Sequence, residues 1–407
     1  MTHFNFKSGS PKYIYFDYAA TTPIDPKILR NMIPIMHKYY GNSMSLHKRG
    51  QEAKELLERS RESFAKHLNV SPGEIIFTGS ATESNNFALK GIVNLFKNKD
   101  KNIIISGLEH PSVLNAAKYL ENNGLSLSIA PVTKEGIIDI DTLAKLIKDN
   151  TILVSVIYVN NEIGSIQPIE QIGDLIARIK QGRVERGNDT PLYFHTDATQ
   201  AFGKIPINIK NLKCDLLTAC SHKIYGPKGA ALLYIKKGVN IEPLLHGGGH
   251  EFGLRSSTVN IPAIFGFWKA YELALERLSY DSKKISKLAN KMLKEISRKI
   301  NGACLNGERS KQIYNILNFR FDYIEGESLV YLLDNEGIGV STGSACASTH
   351  LKPSETLLAI GLKPEEAQSS IRVSLGRFST QQEVDRLLKV LPKIIKQLRN
   401  ISPYGKY

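Results

Sequence analysis

The sequence predicts an α/β protein, with a mostly parallel sheet wrapped by helices and a smaller α+β domain after it. Three observations carry that expectation. Short apolar, β-branched runs alternate with segments of helical spacing through the first two thirds of the chain. After about Pro262 a long lysine-rich helical stretch takes over. Strand-like pieces then return only around 315–321 and 371–374.

In chain order, the runs 103–106, 152–159, 192–195, 216–219 and 230–235 read as buried strands. Ala53, Leu56, Leu57, Ser60, Phe64 and Leu68 form one helical stripe, and Ile169, Ile172, Leu175, Ile176 and Ile179 form another. The lysine-rich helix runs to about Ile300, and a final helix is expected over 381–398 with Thr380 as its cap. These changes of pattern divide the chain into a large domain, 15–261, and a small one, 262–407, to which the segment 1–14 is expected to join. At 407 residues, 42% hydrophobic and 23% charged, the chain is long enough for two cores.

Several function classes are disfavoured by composition. The cysteines at 214, 220, 304 and 346 are scattered, with no C-x-x-C pair, which argues against a disulfide framework and for a reducing compartment. Residues 1–11 hold one lysine, no arginine and no apolar run, and nothing approaches the roughly 20 apolar residues that cross a bilayer. The expectation is a soluble, cytoplasmic protein without membrane contact. A net charge of +14 invites a nucleic-acid reading. Yet lysines such as Lys389, Lys393 and Lys396 are spread along amphipathic helices, and no arginine-rich run appears. Nucleic acid is therefore not expected as the main ligand, while acidic protein partners or secondary RNA contact stay compatible. The tract His246-Gly-Gly-Gly-His-Glu251 resembles a metal site, but three glycines spoil the one-face helical spacing, and no metal is expected.

Three segments carry chemistry. Thr218-Ala-Cys-Ser-His-Lys-Ile-Tyr-Gly-Pro-Lys-Gly229 follows an apolar strand and ends in a Gly-Pro turn. Its small and polar residues suit backbone approach to an anion, and the amine of Lys223 could form a Schiff base with an aldehyde cofactor. A surface lysine in a turn is the plainer reading. Thr196-Asp-Ala-Thr-Gln200 shifts the balance, because Asp197 falls at a strand's carboxyl end, where open α/β sheets bind ligands. A pyridine ring needs a carboxylate at its nitrogen to act as an electron sink, and Gln200 could donate to the ring's phenolic oxygen. Phe77-Thr-Gly-Ser-Ala-Thr-Glu-Ser-Asn-Asn86 reads as strand end, turn and helix start, where free amides and the helix dipole favour phosphate. Ala81 and Thr82 are the candidate contacts. A capping box from Thr82 with Asn85 or Asn86 would explain the helix start alone.

With these segments the chain resembles fold-type I, class V aminotransferase-related enzymes, and more closely the cysteine desulfurases of iron–sulfur cluster assembly and nitrogen fixation. The likeness runs from Tyr15-Phe-Asp-Tyr-Ala-Ala-Thr-Thr-Pro23 to Ser374-Leu-Gly-Arg-Phe378. It implies a mostly parallel seven-stranded sheet in the large domain and pyridoxal 5′-phosphate as cofactor. By the resemblance, Lys223 is the Schiff-base lysine, Asp197 the pyridine-nitrogen partner and Gln200 the contact to the ring hydroxyl. His110, in Leu108-Glu-His-Pro-Ser-Val113, matches the histidine that stacks on the ring and shuttles protons. Asn161 matches an asparagine near cofactor and substrate carboxylate, and Ala81, Thr82 and His222 match phosphate-binding positions. Thr258 matches the threonine that reaches the phosphate of the partner subunit's cofactor, which implies a homodimer. Arg372 matches the arginine that grips the substrate carboxylate, a task suited to a guanidinium fork; a structural ion pair is the alternative. Cys220 stands where the family commonly has a phosphate-binding serine, which weakens that contact because a thiol is a poor donor. Ser221 is a possible substitute.

Gly339-Val-Ser-Thr-Gly-Ser-Ala-Cys-Ala-Ser348 sets this subgroup apart. Small residues around Cys346 predict a mobile, exposed loop, which a thiolate needs in order to reach the substrate sulfur and carry it away. Cys214 and Cys304 read as buried structural cysteines. The implied reaction takes L-cysteine to L-alanine, with a persulfide on Cys346 for an iron–sulfur scaffold or a tRNA-thiolation carrier. Two rivals remain open from sequence: a selenocysteine lyase or other class V lyase or aminotransferase, and a non-catalytic sulfur-carrier or RNA-associated protein.

Overall fold

The apolar runs become strands whose two faces are both covered. The computed structural model describes residues 13–96, 100–343 and 353–402. Strand β1 (Ile14–Tyr15) is followed by β2 (Ile75–Thr78), β3 (Asn102–Ser106), β4 (Ser126–Ala130) and β5 (Thr151–Ser155). Then come β6 (Tyr193–Asp197), β7 (Leu216–Cys220) and β8 (Ala231–Ile235). Strands β2 to β8 form one seven-stranded sheet in the order β2-β8-β7-β6-β5-β3-β4. Only β8 runs against its neighbours; the other pairings are parallel.

Every residue of β2, β3, β5, β7 and β8 is buried, so those strands read as continuous apolar runs rather than alternating ones. The edge strand β4 is mostly open to solvent, and Ser126 and Ser128 break its apolar signal, which hid it in the sequence. The run expected as a strand over 152–159 leaves regular pairing at Ser155. Its remainder still bonds along β6, with the Val156 and Tyr158 amides donating to His195 and Asp197 carbonyls at 3.1 and 2.9 Å.

By its internal contacts the chain separates into two compact units. One comprises Thr21–Asn161 and Ser165–Tyr280; the other comprises the described residues of Met1–Ala20, Glu162–Gly164 and Asp281–Tyr407. The division falls within the helix Ile261–Lys299.

In the first unit the helix Lys48–Leu68 buries its whole predicted stripe, and Arg61 lies on the same covered face. Both terminal guanidinium nitrogens of Arg61 donate to Glu251 at 2.8 Å, and Nη1 also donates to the Ile75 carbonyl at 2.6 Å. Glu251 in turn accepts from the Phe77 amide at 2.7 Å. The ion pair thus staples the glycine-rich segment after His246 to β2, although Glu251 and Phe252 must adopt left-handed backbone, at φ 50° and 59°.

In the second unit β9 (Ala303–Leu305), β10 (Ile316–Phe321) and β12 (Ser370–Ser374) form an antiparallel sheet, and β1 pairs in parallel with β11 (Ile338–Gly339). The helix Gln381–Ile401 covers this core with Val384, Leu387, Leu388, Leu391, Ile394, Ile395 and Leu398. Thr380 caps it as expected, its hydroxyl accepting from the Glu383 amide while Glu383 reaches back. The expectation for Cys304 is corrected here. It is exposed, because β9 is an edge strand and its central residue points outward.

Removing one member of a buried ion pair strands the other charge, at about 3–5 kcal/mol. Arg61→Met should therefore lower stability by that order in urea denaturation. Arg61→Met with Glu251→Leu should recover a substantial part of the loss.

Candidate active site

The carboxyl ends of the parallel strands supply most of the residues singled out above. Asp197 closes β6 and is 3% exposed. It stands level with Thr218 of β7, two residues before Cys220, so the turn bearing Lys223 starts beside it. One oxygen of Asp197 accepts from the Thr199 amide at 2.9 Å and the other from the Asn85 side-chain amide at 2.8 Å. Asn85 belongs to the helix Ala81–Val93, so this bond draws the helix that starts at the glycine-serine turn against Asp197.

That helix does not start as expected. Ser80, not Thr82, is the cap: its hydroxyl accepts from the Glu83 amide at 3.1 Å, and its carbonyl from the Ser84 amide at 3.0 Å. Glu83 is tied to the Gly79 amide and to Arg255, which holds the start of the helix two residues earlier. The amides of Ala81 and Thr82 come ahead of the first intrahelical donor, the Ser84 amide, and are directed out of the helix end. Arg255 and exposed Thr258 line a cleft of about 180 Å³ together with Thr78 and Gly79.

Lys223 ends the short turn Ser221–Lys223 directly after β7. Thr22 grips this turn from both sides. Its amide and hydroxyl donate to the His222 carbonyl at 3.0 and 2.9 Å, and its oxygen accepts from the Tyr225 amide at 2.8 Å. Ser221 points into the protein rather than outward. A Cβ at Gly226 would fall 2.1 Å from the Ser221 hydroxyl and 3.0 Å from Ala270, so Gly226 has to be glycine. The serine next to Cys220 is therefore packed under the turn.

Charge is distributed unevenly around these groups. Burial, reinforced by Lys223, Lys228 and Lys204, pushes the His222 imidazole down to about 3, so it is neutral amid cations. Burial pushes the Cys220 thiol up to about 11 despite the nearby lysines, so it stays protonated and is no nucleophile. His195, on the same face of β6 as Asp197, is driven by burial to about 4 and bonds Ser155 and Thr218 at 2.9 and 3.1 Å. Glu109 is raised to about 8 by burial and by the charge of Asp197, while the Ser106 hydroxyl and the Ile157 amide bond its Oε1. Lys204 donates to Gln200 Oε1 at 2.7 Å, which turns the Gln200 amide nitrogen to the opposite side as donor.

His110 caps the helix Pro111–Asn122, its Nδ1 accepting from the Ser112 amide at 3.1 Å. Asn161 lies in the tight turn closed by the Asn160 amide bonding the Ser165 carbonyl at 3.0 Å. A pyridoxal phosphate fits this donor set. A buried acceptor is present for a protonated pyridine nitrogen, a donor amide for a phenolic oxygen, and helix amides with neighbouring cations for a phosphate.

The second unit holds Arg372 at 3% exposed in the middle of β12. Its Nη2 donates to Asp17 at 2.7 Å, so the ion pair exists. The Arg372 backbone also exchanges two hydrogen bonds with Ser341, at 2.6 and 3.1 Å. The Glu162 carboxyl meets both stems of the segment that follows. Ser354 donates to it at 2.5 Å, and Gly343 (φ 90°) presses so close that a Cβ would fall 3.1 Å from Oε2. Burial raises Glu162, with Ser354 and Arg372 opposing. Cys346, and the loop expected around it, lie outside the described residues.

Comparison with known proteins adds an independent finding. The aminotransferase class-V family model matches residues 14–387. The chain belongs to that family, in its cysteine desulfurase branch. It is 43% identical over 389 residues to cysteine desulfurase IscS 1 of Archaeoglobus fulgidus, covering 96% of this chain and 98% of that protein. Among solved structures, a NifS-like protein superposes with a TM-score of 0.86 at 38% identity, covering 95% of this chain and all of the other. A structure described as SspA in complex with cysteine gives 0.77 at 32% identity, over 90% of this chain and 100% of that one.

Asn85, Ser112, Glu109, His195, Lys204 and Glu162 escaped the sequence reading. For His195 a signal existed, since i and i+2 on a strand share a face with Asp197. Ser112 and Lys204 also bond near neighbours, His110 and Gln200, while Asn85, Glu109 and Glu162 act through partners distant in the chain.

The Glu109 shift has a pH consequence. Its folded value of about 8 lies above the unfolded carboxylate value, so the folded state binds more protons between the two. Its contribution is therefore fully present below about pH 4 and is lost as pH rises towards 8. Glu109→Gln keeps Oε1 for its two donors without ionising. The urea midpoint of wild type minus variant should fall steadily from pH 5 to 8; a flat difference would contradict the shift.

Proposed function

We propose that the chain takes sulfur from L-cysteine, releases L-alanine and keeps the sulfur as a persulfide on Cys346. The observation that supports this best is the buried Asp197 acceptor beside the Lys223 turn, in a chain of the desulfurase branch. Bound pyridoxal phosphate supplies an electron sink for the pair left at the substrate Cα. The residues do the rest. Asp197 accepts from the ring nitrogen, Gln200 donates to the phenolic oxygen, and the Ala81 and Thr82 amides with His222 hold the phosphate. Asn161 and Arg372 orient the substrate, Arg372 by its carboxylate. Lys223 takes the Cα proton, and His110 serves proton transfer near the same centre. The Cys346 thiolate attacks the substrate Sγ. An S–S bond forms as the C–S bond breaks, and the electron pair returns to the carbon skeleton, which is protonated to alanine.

An acceptor protein then takes the sulfur, an iron–sulfur scaffold or a thiolation carrier being the kinds suited to a persulfide donor. The working form is a homodimer. Leu29, Ile33 and Met36 line the outer face of the helix Pro26–Lys38, and Tyr40, Met44 and Leu46 continue it, with Leu46 93% exposed. So much contiguous apolar surface calls for a cover. No helix among the described residues is long and apolar enough to cross a membrane, and the reading places the enzyme in the cytoplasm.

Two experiments test this reading. Purified protein should be yellow, borohydride should fix the cofactor to Lys223, and Cys346→Ser should abolish alanine formation from cysteine plus thiol; full turnover in that variant refutes the nucleophile. In sedimentation equilibrium wild type should run as a dimer, and Ile33→Asp with Met36→Asp should shift it to monomer.

A further inference from the structure

A chain of hydrogen bonds joins His110 to Asp197, and its donors and acceptors can be assigned one by one. The Asp197 carboxylate only accepts, so the Asn85 group 2.8 Å from it is the NH2 side of the amide. The same nitrogen donates its second hydrogen to the Ser112 hydroxyl oxygen, also at 2.8 Å. Ser112 Oγ, having accepted there, has its own hydrogen to place, and His110 Nδ1 stands 2.8 Å away. The Ser112 backbone amide, which can only donate, points at the same Nδ1 at 3.1 Å. Two donors on one ring nitrogen require a lone pair there. Asn85 is wholly buried and its Oδ1 has no partner among the described residues, so the amide is held by its nitrogen.

We infer that Ser112 and Asn85 are positioning residues that lock His110 in the tautomer with its proton on Nε2 and tie that ring to the Asp197 carboxylate. The inference rests on the desulfurase reading for its catalytic meaning, though the bond pattern stands without it. A histidine whose Nδ1 is taken presents Nε2 as the one atom that can hand over a proton. The ring is fixed in direction by the helix it caps and in proton content by Ser112. Asn85, by holding Asp197 with its other hydrogen, makes both groups share one rigid frame.

The test uses ¹⁵N-histidine-labelled holoenzyme, with the His110 signal assigned from His110→Gln, and steady-state kinetics on the same samples. Wild type should show Nε2 protonated and Nδ1 bare at neutral pH. Ser112→Ala keeps the backbone donor but loses the hydroxyl. It should give a mixed tautomer signal and a kcat lower by about tenfold, with KM for cysteine changed less than about threefold. Ser112→Thr, which restores a hydroxyl, should recover both readouts. A proton on Nδ1 in wild type overturns the inference, as does an unchanged tautomer in Ser112→Ala whatever its rate. Failure of the wild type to release alanine would instead sink the desulfurase reading and leave the tautomer result standing.

Discussion

The site is organised around one buried carboxylate that must be kept supplied with donors. Asp197 is placed at the end of β6 by the sheet, and burial there is tolerable only because the Thr199 amide and Asn85 bond its two oxygens. That need reaches outward. Asn85 fixes the helix Ala81–Val93, Ser112 joins the same amide, and Glu109 gives up its own charge so that two carboxylates need not ionise side by side.

Neutrality is as much a feature of the pocket as charge. His222, His195 and Cys220 are all held in their uncharged forms by burial. The positive charge is left to the lysines, where it can attract an anionic cofactor and an amino-acid carboxylate. A protonated His222 among Lys204, Lys223 and Lys228 would add repulsion.

The second unit repeats the theme with fewer groups. Arg372 is buried against Asp17, and its backbone clasps Ser341, while Glu162 meets Gly343 and Ser354. The stems on either side of the segment bearing Cys346 are thus bound firmly to a packed core.

The sequence by itself indicated the covered strands of the sheet, because strands covered on both faces must be written in continuous apolar residues, and it pointed to candidate positions where such runs stop. Lys223, Asp197 and Gln200 were legible in that way, whereas His110 and Arg372 were expected only from the family likeness, Arg372 lying in the middle of β12. Tertiary structure alone decided their partners. Asn85 lies 112 residues from Asp197 and Arg61 lies 190 from Glu251, distances over which a linear pattern carries no information. It also decided which titratable groups are charged, since burial and neighbours shift a proton equilibrium and neither is written in the local sequence. The helix cap moved from Thr82 to Ser80 for the same reason: Glu83 is held by Arg255, which comes 172 residues later.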